Sequence, residues 1–446
     1  MKIFPESFKQ KMNELLKGEA TAFFESQENP PPISLRLHPN KNNSTIFPEA
    51  QKVEWCEAGI YLSSRPVFTY DPLFHAGAYY VQEAGSMLLE KLLTPILEKN
   101  KNLRILDLCA APGGKSTHVL SLMNGEGILV SNETIPLRNK ILRQNIAKWG
   151  YSNCIVTQNK AEDFAKSNIQ FDAIIIDAPC SGEGLFRKDD QAILEWSVDQ
   201  VMVCSQRQTK ILEEILPSLK PGGYLIYSTC TYEATENDDQ IEQLIANFGM
   251  KVVTPKPPLG IAQTKYGWQA YPHRVKSEGF YCCLLKKDGE LNVENKYTST
   301  KITSKKTMLP SFEKWLIDDT SFVITQQQDF IYANSKEVNE LTQQLSKTNY
   351  IRMSGILLGE IKGKDFIPSA ELALSLQLNK NHPTVDLSEQ ESINYLCGEP
   401  LQTQSEALGW HLVTFQNQPL GWAKKIASRW NNYYPKEWRI QNKPKP

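Results

Sequence analysis

Between Arg104 and Tyr227, short apolar runs alternate with longer amphipathic segments, and no other feature constrains the chain so much. ILDL, GILVSN, CIVT, AIIIDA and YLIYST read as strands. GGKSTHVLSLM, PLRNKILRQNIAKWG and VMVCSQRQTKILEEILPSLKPGG read as helices; the second has proline at its start and Gly150 past its end, and the third is closed by Pro-Gly-Gly. Strands that are apolar throughout are buried on both faces, and alternation with helices implies parallel crossover units. The expected fold class is α/β, with a doubly wound, mostly parallel sheet. GFYCCLLKK adds an antiparallel edge strand in which Cys282 and Cys283 read as buried thiols. In such sheets, ligands bind beyond the carboxyl ends of the strands.

Three segments leave that edge as loops. The first is DLCAAPGGKS, Asp107 to Ser116. Small residues at Ala110 and Ala111, then Pro112, Gly113 and Gly114, let a ligand approach the backbone at a helix N-terminus. A Walker loop would need glycine where Cys109 stands, and the dinucleotide pattern GxGxxG is absent. Glu133, just past the second strand, can accept both hydroxyls of a ribose. A nucleoside without phosphates, S-adenosylmethionine, fits this pattern best. The alternative is a strand-to-helix turn with no ligand.

The other two loops carry cysteines, Cys180 in DAPCSGEG and Cys230 in STCTY, each just past a strand end. Methylation of carbon 5 of a pyrimidine needs such groups. That carbon is too weak a nucleophile until a thiolate adds to carbon 6, which is covalent catalysis. A carboxyl group such as Asp177 can manage the proton near ring N3, and a second thiol can assist removal of the carbon 5 proton. The competing reading is two buried turn thiols.

The rest of the composition bounds the answer. The chain has 446 residues, 41% hydrophobic and 22% charged, with a formal net charge of -1, so any nucleic-acid signal is local. Nine cysteines lack regular spacing and the N-terminus lacks a signal-peptide core, which points to the cytoplasm. No run reaches membrane-spanning length. CxxC and HxxxH are absent and the six histidines lie far apart, so no metal is expected. Residues 1–77 form an N-terminal α+β segment, 78–287 the core, 288–309 a polar linker, and 310–380 and 381–446 two C-terminal regions. Arg36 and Lys41 read as a solvated face, with phosphate contact as the alternative. From Gly421 to Pro446, seven Lys/Arg and one acidic residue interleave with Trp422, Trp430, Tyr433, Tyr434 and Trp438; this suits RNA, although some of these rings are expected in the core.

DLCAAPGGK, DAPCSGEG and STCTY together resemble the signatures of the Nop/Sun family of RNA cytosine-5 methyltransferases. The resemblance implies a class I S-adenosylmethionine-dependent methyltransferase core. It makes Cys230 the nucleophile and Cys180 the residue that assists product release. It puts Cys109, Ala110, Ala111, Pro112, Gly113, Gly114 and Lys115 along the cofactor, Glu133 on its ribose, and Asp177 between cofactor and base. Arg138 joins this pocket. Asn159 stands where the family usually has an aspartate near the adenine amine, with Glu162 and Asp163 nearby. Enzymes of the DNA class use a Pro-Cys cysteine instead, and Cys180 follows a proline, so the assignment of roles rests on the family match. SLRLHPNK, AGAYYVQEAGSM, GEGLFRKDD and NQPLGWAKKIASRWNNYYPKEWRI resemble the bacterial small-subunit ribosomal RNA members, the RsmF type, with a C-terminal PUA-like α/β domain. A monomer acting on ribosomal RNA or the small ribosomal subunit is expected. A transfer RNA target and a noncatalytic RNA-binding assembly factor are the alternatives.

Overall fold

Five parallel strands form the centre of the computed structural model, which describes residues 2–41, 47–292, 312, 314–403 and 405–443. They are β1 (Arg104–Asp107), β2 (Ile128–Asn132), β3 (Cys154–Thr157), β4 (Phe171–Asp177) and β5 (Leu219–Thr229). They pair in the order β3-β2-β1-β4-β5, all parallel. β6 (Phe280–Lys287) lies antiparallel on β5. The order reverses at β1, so the crevice between the ends of β1 and β4 is the switch point where such sheets take ligands.

Side chains along these strands alternate between two cores. Ile105, Leu129, Val156 and Ile175 face α1 (Gly114–Met123) and α2 (Pro136–Trp149). Leu106, Val130, Ile155, Ile174 and Ile176 face the layer of α3 (Ala161–Lys166), α4 (Val198–Ile215) and α5 (Asp238–Phe248). Both faces are covered, which is why the strands read as unbroken apolar runs. α2 runs from Pro136 to Trp149, and Gly150 closes it with φ 86. α4 ends earlier than expected. Pro217 cannot continue a helix and turns the chain at Leu216–Ser218, and the expected Pro-Gly-Gly stop falls inside β5.

The flanking parts are built into this core. Residues 33–37, 51–52, 59–62 and 79–81 form a four-stranded sheet, so the N-terminal sheet runs past residue 77. In the 310–380 region, β7 (Ile351–Ser354) joins the core sheet antiparallel on β3. α6 (Lys336–Leu345) sends Val338, Leu341 and Leu345 into the same core as Ile174. The C-terminal sheet of 384–386, 409–415, 418–426 and 429–432 shares one apolar cluster with the N-terminal sheet. Most of the expected linker at 288–309 lies outside the described residues.

Arg36 and Lys41 are corrected by the structure: both are buried. The Arg36 guanidinium donates to Gln82 Oε1 at 2.8 Å, Thr117 Oγ1 at 2.6 Å and Ser121 Oγ at 3.1 Å, and stacks 4.5 Å from the Trp149 ring centre. Lys41 Nζ donates to the carbonyls of Ala76 and Lys148 at 2.8 and 2.6 Å, and burial lowers its pKa to about 7. Alternation along a strand gives two faces, and here the second face meets α1 instead of water. Of the terminal aromatics, Trp422, Trp430 and Tyr434 are core residues, while Tyr433 and Trp438 are half-buried. No helix among the described residues is long and apolar enough to cross a membrane.

Candidate active site

β1 ends in Asp107, whose burial raises its carboxyl pKa to about 7. Its Oδ2 accepts from Ser116 Oγ at 2.6 Å, and Ser116 Oγ accepts from Ser131 Oγ at 2.9 Å, which pins the first turn of α1 against β1 and β2. Asp107 Oδ1 has no protein partner. Between them the loop Leu108–Gly113 curls over the strand ends. Ala110 and Ala111 are buried, Cys109 is half-buried, and the Ala111–Pro112 peptide is cis. Gly113 has φ 116, a conformation that glycine adopts without penalty, and it places the N-terminal amides of α1 at the crevice.

The acid after β2 is where the sequence suggests. Glu133 is 4% exposed. Its Oε1 accepts from the Ile135 amide at 2.8 Å, and its Oε2 lies 3.4 Å from Arg138 Nη1. Arg138 Nη2 donates to the Ala111 carbonyl at 2.8 Å, so Arg138 ties the glycine loop to the acid. Asn159 is held from outside the core. Its Oδ1 accepts from the Tyr350 amide at 2.8 Å, which ties the end of β3 to the strand that enters from the 310–380 region. Asn132, which the sequence reading passed over, is the hub here. Its amide donates to the carbonyls of Leu108 and Asn159, and its Oδ1 accepts from Thr157 Oγ1 and the Asn159 amide. Only its position at a strand end could have flagged it.

Across the switch point, Asp177 ends β4. Its Oδ2 is 2.8 Å from Lys115 Nζ, and its Oδ1 accepts from Ser228 Oγ at 2.9 Å. Lys115 therefore points at Asp177, and it lies 4.9 Å from the centre of the Phe280 ring. Burial acts to lower its pKa, but the Asp177 carboxylate more than reverses this and the Lys115 pKa is raised.

The two cysteine loops meet beside Asp177. Cys180 Sγ and Cys230 Sγ are 3.1 Å apart, and the Cys230 amide donates to Cys180 Sγ at 3.3 Å. Each loop grips the other with a buried carboxylate. Glu183, from the Cys180 loop, accepts from Thr231 Oγ1 at 3.1 Å and the Tyr232 amide at 3.0 Å. Glu236, beyond Cys230, accepts from the Ser181 amide at 3.0 Å and from Gln208 at 2.8 Å. Ser181 Oγ and Thr231 Oγ1 close the clasp at 2.9 Å. Lys11, on the N-terminal helix, reaches Glu183 and also pairs with Glu233 at 2.5 Å. Burial raises the Glu183 pKa to about 8, opposed by Lys11. The Cys180 thiol is pushed well up, first by its hydrogen bond to Cys230 and then by burial.

Gly184 allows the two loops to touch. Its amide donates to the Cys230 carbonyl at 2.8 Å. A Cβ there would stand 2.3 Å from the Gly279 carbonyl oxygen and 2.9 Å from that of Cys230. Gly184→Ala is expected to spread the loops, cost about 1–3 kcal/mol of stability, and cut turnover at least tenfold. Denaturant unfolding and single-turnover kinetics check both effects; unchanged kinetics would mean that the loop spacing does not matter.

Potential metal donors also come together. Among the described residues, Cys56, Glu90 and His118 converge, although they are scattered along the chain. His118 Nε2 is 2.9 Å from Glu90 Oε2 and 3.8 Å from Cys56 Sγ, the spacing of a hydrogen-bonded triad.

A glycine loop and an acid at the switch point of a doubly wound sheet, closed by an antiparallel β6, define an S-adenosylmethionine-dependent methyltransferase. The comparisons agree and go further. Residues 94–286 match the family described as 16S rRNA methyltransferase RsmB/F, residues 4–84 the N-terminal domain of 16S rRNA methyltransferase RsmF, and residues 382–440 the methyltransferase RsmF PUA domain. Ribosomal RNA small subunit methyltransferase F of Shewanella sp. (strain MR-4) is 30% identical over 442 residues, covering 91% of this chain and 90% of that protein. The protein of the same name from Shewanella loihica is 32% identical over 416 residues, covering 87% and 83%. A methyltransferase homologue from Pyrococcus horikoshii superposes with a TM-score of 0.56 at 27% identity, over 64% of this chain and 95% of that one. The chain belongs to the ribosomal RNA small subunit methyltransferase F family.

The cofactor fits the residues present. The crevice offers helix amides at Gly113–Gly114, small side chains at Ala110 and Ala111, and the carboxylate of Glu133, whose Oε2 has only a long contact to Arg138. The unpartnered Asp107 oxygen lies behind this loop.

Proposed function

We propose that the chain methylates carbon 5 of a cytosine in small-subunit ribosomal RNA through a covalent bond between Cys230 and carbon 6. The observation that carries the reading is the pair of thiols, 3.1 Å apart, beside a carboxylate at the cofactor edge. Two thiols in contact at a sheet's ligand edge have no packing purpose that one apolar residue could not serve.

When bound in the crevice, S-adenosylmethionine supplies an electrophilic methyl group. Glu133 would hold its ribose, and the loop from Cys109 to Lys115 would flank it. Asp177, fixed by Lys115 and Ser228, would supply or hold the proton at ring N3 that balances the charge as the thiolate adds. The Cys230 thiolate adds to carbon 6, and carbon 5 gains the electron density it needs to take the methyl group. Cys180, in contact with the Cys230 sulfur, then assists removal of the carbon 5 proton. Removal of that proton re-forms the ring double bond and expels Cys230 as a thiolate.

The target must be unpaired or extruded from its helix, at a cost of a few kcal/mol. The test is incorporation of labelled methyl groups into small-subunit ribosomal RNA, free and within immature subunits, followed by nucleoside analysis. Label recovered as 5-methylcytosine is the expected result. Label in another nucleoside, or only in transfer RNA, would reject the reading.

A further inference from the structure

The contact between the two sulfurs supports a second reactivity. All nine cysteines are unpaired, and Cys180 and Cys230 are both partly exposed. Their sulfurs are 3.1 Å apart, and the Lys115 ammonium is within electrostatic reach of Cys230. The contact is built. Glu183 and Glu236 hold the loops crosswise, and the Cys230 amide donates to Cys180 Sγ at 3.3 Å. The loops already hold the two sulfurs in contact.

We propose that Cys180 and Cys230 form a peroxide-responsive pair, a site of reversible oxidation to an intramolecular disulfide that switches the active site off. The thiolate of one cysteine attacks a peroxide oxygen; the O–O bond breaks, the sulfur becomes a sulfenic acid, and hydroxide leaves and is protonated. The neighbouring sulfur then attacks the sulfenic sulfur, the S–S bond forms, and the sulfenic oxygen departs as a second water. Two sulfurs each lose one electron and the two peroxide oxygens each gain one. A cellular dithiol reverses the change by thiol–disulfide exchange. An isolated sulfenic acid can go on to irreversible acids, whereas one with a thiol in contact is diverted to the disulfide. The sulfur that meets peroxide first is the one that gains oxygen when its partner is replaced by serine.

The site is that of the proposed methylation, but the measurement requires neither RNA nor turnover. The full chain is treated with stoichiometric hydrogen peroxide, quenched, and weighed intact. A loss of about two mass units is expected, with a cross-linked peptide joining Cys180 to Cys230, and dithiothreitol restores the mass. Cys180→Ser should instead gain oxygen at Cys230, and Cys230→Ser should show no loss. In the wild type, methyl transfer should fall at least tenfold with oxidation and return on reduction. A pair that stays reduced under peroxide, or a loss of mass that persists in Cys180→Ser, would overturn the proposal. The disulfide forming while no RNA is methylated would sustain it and reject the methylation reading instead.

Discussion

Cys180→Ala is expected to convert the protein into a trap that accumulates a covalent adduct with its RNA, and Cys230→Ala to abolish both adduct and turnover. The asymmetry follows from the order of events. Without Cys230 the attack on carbon 6 is lost, and carbon 5 has no enamine character; a fall of about a million-fold in methyl transfer is the scale for losing a covalent nucleophile. Without Cys180 the addition and the methyl transfer still proceed, but the base for the carbon 5 proton is missing and the C6–S bond persists. Each variant removes a half-buried thiol from a loop that Glu183 and Glu236 hold in place, so neither should unfold the chain. The adduct is read as a slow band on a denaturing gel that disappears with nuclease. Adduct with Cys230→Ala and none with Cys180→Ala would exchange the two roles. This outcome has to be tested, because Cys180 follows a proline and the 3.1 Å contact makes the two sulfurs nearly equivalent in position.

What could be read from the sequence was whatever depends on neighbours in the chain. The strands from Arg104 to Thr229 announced themselves because a strand covered on both faces has no polar alternation to blur it. The glycine loop, Glu133, Asp177 and the cysteines share one strand edge, and that edge follows from the alternation alone. Less could be read wherever a side chain has distant partners. Nothing local to Asn159 says that its carbonyl is taken by the Tyr350 amide. The crosswise clasp is invisible because Glu183 and Glu236 each act on the other loop. The burial of Lys41 depends on the carbonyls of Ala76 and Lys148, which the fold brings together. The triad of Cys56, Glu90 and His118 belongs to the same class, since no spacing motif connects its members.

Arg36 shows how much such a hidden contact contributes, and its removal is expected to have the second large effect. The guanidinium is buried at 1% exposure between the N-terminal sheet and α1. Burial lowers its pKa to about 10, so it stays charged at neutral pH, and its donors are taken up by Gln82, Thr117, Ser121 and, at 3.4 Å, the Gly114 carbonyl. Hydrogen bonds to a charged group each contribute about 1.5–3 kcal/mol, and the stacking on Trp149 adds to them. Arg36→Ala would lose these contacts, strand the buried acceptors and open a cavity, so a loss of about 3 kcal/mol or more is expected. Arg36→Lys should recover only part of this, because one ammonium cannot match a planar fork whose donors point to several acceptors. Thr117 and Gly114 belong to the first turn of α1, directly behind the cofactor loop. The Arg36→Ala chain that remains folded should therefore bind S-adenosylmethionine about tenfold more weakly, through lost preorganisation. Denaturant unfolding gives the first quantity and calorimetric titration of the cofactor the second. Lower stability with unchanged cofactor affinity would confine Arg36 to holding the N-terminal sheet in place. A fall in both would show that this sheet keeps the first turn of α1 in the geometry that the cofactor requires.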